Sequence, residues 1–182
     1  MSVLFISEAK LKSYSIAKNV DSEHLLPHIL DAQKIYIEQA LGTNLYNKIS
    51  TDISGGTLSG NYKILVDSYI QDVLIHFATL QALPHLAYKI ENGNIFSKTS
   101  ESGTPLTREE LQDLKDSTKN VAEFYLKRLV DYLVYNTSLF PEYSTNTNNN
   151  MRPSRRSYTN NMNLFIGGGC APGDDCLGIL ND

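Results

Sequence analysis

Two histidines four residues apart, His24 and His28 in "HLLPH", with Asp31 three further on, are the closest approach to a metal-binding face. On one helix such spacing puts the three on one side. A zinc peptidase needs Glu directly after the first histidine, where this chain has Leu25, and Pro27 disturbs the alignment of the pair. Solvated or capping histidines are the simpler reading. His76 and His85 stand alone on a hydrophobic helix and are expected to be buried and hydrogen-bonded.

Cys170 and Cys176 bracket Asp174 and Asp175, yet two thiolates without a neighbouring histidine do not complete a four-ligand zinc site. They read as free thiols. "GTLSG" (56–60) has its serine one place late for a nucleophile elbow and lacks the strand-to-helix setting. "GGGCAPG" is followed by no Gly-Lys-Ser/Thr, so it is not a phosphate loop. Glu109-Glu110 sits where a helix N-terminus favours acids. The expectation is therefore a protein that is not an enzyme, with no catalytic residue, no cofactor and no metal.

One basic cluster remains, "RPSRR", with Arg152, Arg155 and Arg156 beside Tyr158. Arginine next to an aromatic could touch nucleic acid, and an acidic protein surface suits it as well. The charge balance favours protein. The chain carries a formal −4, and from Ser144 onward three arginines cancel Asp174, Asp175 and Asp182, so the whole −4 lies on residues 1–143. A dedicated nucleic-acid binder would present a basic face instead.

These residues hang on a helical framework. With 182 residues, 41% hydrophobic and 20% charged, the chain suits one soluble domain with its own core. The opening "MSVLFISEAKLK" has no basic leader, and the longest uncharged stretch, Val73 to Tyr88, is too short to span a bilayer, so no membrane partner is expected. Ser7 opens a short helix. Asp21 caps a longer one with Leu25, Ile29, Ala32, Tyr36 and Ala40 on its apolar face, stopped by Gly42. Thr43 is placed to cap "TNLYNKI". After the loop Ser54–Gly60, the face Tyr62, Leu65, Val66, Tyr69, Val73, Phe77, Leu80 and Leu83 predicts a helix that Pro84 should kink or end. A polar loop from Asn92 leads to a capping box, Thr107-x-x-Glu110, and a last helix to about Asn136 with Leu111, Leu114, Val121, Tyr125, Leu129 and Tyr132 inward. The fold class is all-α: a bundle of about five helices over residues 1–143, and an extended, irregular C-terminal arm over 144–182.

The arm is asparagine-rich, a composition that stays unstructured until a partner supplies the surface it lacks. Leu164, Phe165 and Ile166 form an apolar anchor that reads as an orphan strand, with Gly167–Gly169 as a hinge. Strand addition to another chain, steered by the arginines, is the binding mode this suggests.

Residues Ile6 to Ile49 resemble the opening of head–tail connector, or neck ring, proteins of tailed bacteriophages, nearest to those of Bacteroidetes-infecting, crAss-like phages. The likeness is carried by Asn19-Val20-Asp21, Asp31-Ala32-Gln33 and Leu41-Gly42-Thr43-x-Leu45-Tyr46. The resemblance implies an all-helical subunit in a ring of about twelve copies at the head–tail junction of the virion, assembled in the host cytoplasm. It implies the portal protein and a further neck or tail protein as partners, with the arm gripping the portal or neighbouring subunits. DNA would pass through the channel without specific binding. Two alternatives stay open: another neck or tail-completion ring protein, and a helical regulator that uses "RPSRR" on nucleic acid.

Overall fold

A computed structural model describes residues 3–14, 20, 22–91, 94–97, 107–145 and 150–153. Asp21, the expected cap, lies outside them. The architecture is an all-α bundle. Helix α1 spans Glu8–Tyr14 and α2 spans Ser22–Ala32; a π-helical turn, Gln33–Ile37, carries α2 into α3, Glu38–Ser54. Helix α4, Gly60–Leu65, runs through a second π-helical turn, Val66–Ile70, into α5, Gln71–Ala87. Helix α6, Arg108–Tyr135, is 28 residues and about 42 Å long. A 3-10 turn, Thr137–Leu139, then leads to the short α7, Pro141–Ser144.

The expected punctuation is present, with differences that have physical causes. Ser7 Oγ accepts the Lys10 N–H and opens α1. The capping box closes in full: Thr107 Oγ1 accepts the Glu110 N–H and Glu110 Oε2 accepts the Thr107 N–H, which holds the Glu110 carboxyl below its usual range. Pro84 neither ends nor breaks α5, which continues to Ala87. Where the sequence suggested a polar loop from Asn92, Tyr88–Glu91 (β1) pairs antiparallel with Asn94–Ser97 (β2), Tyr88 opposite Ser97 and Glu91 opposite Asn94. Asn92-Gly93 between them is the dipeptide that suits a two-residue hairpin turn. The strand candidate that the sequence suggested, around Leu164–Ile166, lies outside the described residues.

The core is built by the faces read from the sequence: Leu25, Ile29, Ala32 and Ala40, then Leu65, Val66, Val73 and Phe77, are buried. On α6, Leu111 and Leu129 are buried and Tyr125 and Tyr132 pack against the core as expected, while Val121 is 41% exposed and Ala122 beside it is fully buried. Beyond α6, Phe140 and Tyr143 are buried anchors, Phe140 meeting the Tyr62 ring edge-on at 5.4 Å. No helix among the described residues is long and apolar enough to cross a membrane.

Candidate functional site

The arm begins on the body rather than beside it. Gly42 breaks α3 with φ 74° and ψ 158°, and the chain 150–153 lies across that break. Thr43 N–H donates to the Met151 carbonyl at 3.1 Å, and Met151 N–H donates to Thr43 Oγ1 at 3.0 Å. Thr43 thus holds Met151 with both its backbone and its hydroxyl, where the sequence suggested a helix cap. Pro153 packs directly against Gly42, so closely that a Cβ there would lie 2.7 Å from Pro153 Cδ. Asn44 Nδ2 donates to the Thr145 carbonyl. Tyr62 Oη donates to Glu142 Oε2 at 2.7 Å; burial first and this carboxylate second push the phenol up to about 12. Four contacts therefore fix Thr145 and Met151–Pro153, carrying the body past the boundary expected at Tyr143.

Of the arm residues proposed to bind partners, Arg152 is exposed within this strap. Arg155, Arg156, Tyr158, Leu164, Phe165 and Ile166 lie outside the described residues, as do Cys170 and Cys176.

A second fixed point joins the N-terminal segment to the bundle. Gln33, 1% exposed, accepts the Phe5 N–H on Oε1 at 2.9 Å. Its Nε2 donates to the Val3 carbonyl and to Tyr46 Oη, both at 2.8 Å. Gln71 Nε2 donates to the Phe5 carbonyl at 2.9 Å, and Lys10 Nζ donates to Gln71 Oε1. Beside this clamp, Leu4, Ile6, Ile53, Leu58 and Val66 line an open, mostly apolar recess of about 430 Å³. Nothing in the residue types marked Gln33 for this role; a glutamine in a helix reads as surface. The only signal was its place in the Asp31-Ala32-Gln33 motif.

The histidines follow expectation only in part. His24 is exposed, as a solvated histidine would be. His85 is exposed too, not buried, and its ring lies 4.7 Å from that of half-buried His28, across α2 and α5. His76 stacks on Tyr125 at 4.8 Å, so an aromatic face replaces the expected hydrogen bond. Among the described residues no three His, Cys, Asp or Glu side chains converge to hold a metal ion.

Burial, then His85, lower the His28 pKa from 6.5 against a smaller opposing effect of Asp31; burial lowers His76 against Asp72. The unfolded chain therefore takes up protons first. Stability from these sites is complete above about pH 6.5 and is lost as pH falls through the lowered native values. Urea midpoints should be lower at about pH 5.5 than at about pH 7.5, with a shallower fall in a His76→Gln variant. An equal or higher acid midpoint would contradict this.

The model of a family of unknown function, DUF6712, matches residues 37–153. No curated protein and no solved structure matches the chain. The matched segment runs from the last residue of the first π-helical turn to Pro153, the last residue of the strap. It includes both the Gly42 break and the segment that covers it.

Proposed function

The chain belongs to the DUF6712 family, whose function is not known, and from that premise we propose that it is a structural ring subunit of a phage head–tail connector. Its C-terminal arm anchors it to the portal or to neighbouring subunits. The observation that carries this reading is the fixed root of the arm. A tether transmits position only if it leaves the body at a defined point, and here Thr43, Gly42 and Asn44 define that point. Gly42 and Thr43 belong to Leu41-Gly42-Thr43-x-Leu45-Tyr46, the motif that carries the likeness to connector proteins, and Asn44 fills its open position.

Electrostatics supports the same reading. The formal −4 lies on residues 1–143, so a channel lined by them repels duplex phosphates and lets DNA slide, while Arg152, Arg155 and Arg156 face protein. The subunit assembles in the host cytoplasm and resides at the head–tail junction of the virion.

The test is co-sedimentation with purified portal. A chain ending at Pro153 keeps the strap and should fold normally while losing docking. Replacing Leu164, Phe165 and Ile166 with Ser should do the same. Arg152, Arg155 and Arg156 to Ala should weaken docking about tenfold and leave DNA affinity unchanged. Full docking by the shortened chain would remove the arm as anchor. DNA affinity that falls steeply with salt and vanishes with the three arginines would transfer the assignment to nucleic-acid binding.

A further inference from the structure

Helix α5 and the π-helical turn before it are covered on two opposite sides. On one, Tyr69 stacks on Tyr132 at 4.0 Å, Asp72 meets Arg128 at 3.4 Å and His76 lies on Tyr125. On the other, Phe77 stacks on Tyr36 at 3.7 Å, Gln81 Nε2 donates to Tyr36 Oη at 3.3 Å and His85 meets His28. At about 100° per residue, positions 69, 72 and 76 point away from 77, 81 and 85. The α6 and α2 layers therefore meet α5 on different sides.

Each of the two layers carries apolar side chains that stay exposed among the described residues. On α6, Phe124 (64% exposed) and Tyr135 (86% exposed) line one stripe that runs beside Arg128, with Val121 (41% exposed) at its inner edge next to the residues that meet α5. Lys127, beside it, has no ion-pair partner among the described residues. On the α2 side, Pro27, Asp31 and Ile35 follow at spacings of four, with Ile35 48% exposed. Asp31 likewise has no ion-pair partner among the described residues.

We propose that these flanks are the two halves of one repeating contact between copies: the α6 stripe of one subunit packs on the α2 stripe of the next. Phe124 meets Ile35, and Lys127 lies against Asp31. The inference rests on the ring reading and supplies the surfaces that reading lacks. Two different patches, each used on a different neighbour, make a heterologous interface, which closes into a ring when the rotation between copies allows it. A two-fold pairing of α6 with α6 would instead stop at a dimer and leave Ile35 bare.

Native mass spectrometry and sedimentation velocity of the full chain, alone and with portal, decide the matter. Phe124→Asp and Ile35→Asp should each weaken self-association at least about thirtyfold and remain monomeric. Each retains one intact flank, so mixing the two should give a one-to-one dimer that grows no further. Lys127→Glu mixed with Asp31→Lys is an independent pair that disturbs no packed side chain and should associate better than either alone. If Ile35→Asp assembles normally while Phe124→Asp does not, and their mixture gives no dimer, α6 pairs with itself and the proposal fails. If both variants still form rings, the surfaces are wrong while the ring reading stands. A wild-type chain that stays monomeric alone and with portal overturns both.

Discussion

Gly42→Ala is expected to destabilise the body by about 3 kcal/mol and to lift the strap from α3. Two separate costs combine at this position. With φ 74° and ψ 158° the residue occupies a backbone region that is essentially reserved for glycine, so any side chain is strained there. The added Cβ would also fall 2.7 Å from Pro153 Cδ and 2.8 Å from Pro153 N, which no small shift of a side chain relieves, since the proline nitrogen is backbone. Pro153 must move, and the paired bonds between Thr43 and Met151 go with it, at about 1 kcal/mol each. The two costs separate in a chain ending at residue 149. There the steric cost is gone and the strain remains, so Gly42→Ala should cost about 1 to 2 kcal/mol less than in the full chain. Urea midpoints of the four proteins give the coupling directly. Equal costs in the long and short chains would mean that the strap contributes nothing to stability, and that the arm has no fixed root.

Much of this fold was legible in the sequence, and the failures share a cause. The Thr107–Glu110 box and the Gly42 break are local signals, decided by neighbours in the chain, and both stand in the structure. What covers Gly42 comes from 111 residues away as Pro153, and no local pattern announces it. The two π-helical turns escaped because one extra residue shifts the phase of a helix without destroying its period; Leu25 and Ile29 stay buried before Gln33, and Ile37 and Ala40 after it. Val121 was placed inside because it continues the spacing of Leu114 and Tyr125, whereas the structure turns Ala122 inward and leaves Val121 41% exposed. The hairpin Tyr88–Glu91 with Asn94–Ser97 directly follows a helix, and four residues are too few for a period of two to show; Asn92-Gly93 was its one readable signal. At the candidate site, the sequence singled out the motif Leu41-Gly42-Thr43 and Arg152, but not that they belong to one arrangement.

The largest effect of a single polar side chain is expected at Gln33. Its amide serves three partners at once: the Phe5 N–H, the Val3 carbonyl and the Tyr46 hydroxyl. Gln33→Leu keeps the volume and removes all three bonds, leaving at least two buried polar groups unsatisfied at about 1 to 3 kcal/mol each. The segment 3–7 has an escape, since it can peel off and let water pair its backbone. That route exposes Phe5 and Ile6, both now buried, so it is costly as well. The expected loss is about 3 kcal/mol, with amide exchange rising first at Phe5. Gln33→Glu tests the chemistry of the clamp itself. Its carboxyl can still accept from Phe5 N–H and Tyr46 Oη, but facing the Val3 carbonyl it needs a proton in order to donate. Burial and that carbonyl favour the protonated form, raising its pKa in the folded state above the unfolded value. The native state then holds the extra proton, so stability is fully present at low pH and is lost as pH rises through the raised value. Wild type, with His28 and His76 lowered by burial, weakens in the opposite direction, toward acid. The urea midpoint of Gln33→Glu relative to wild type should therefore climb steadily from about pH 7.5 to about pH 5. A constant difference across that range would mean that Nε2 does not donate to Val3, and that the N-terminal segment is held by packing alone.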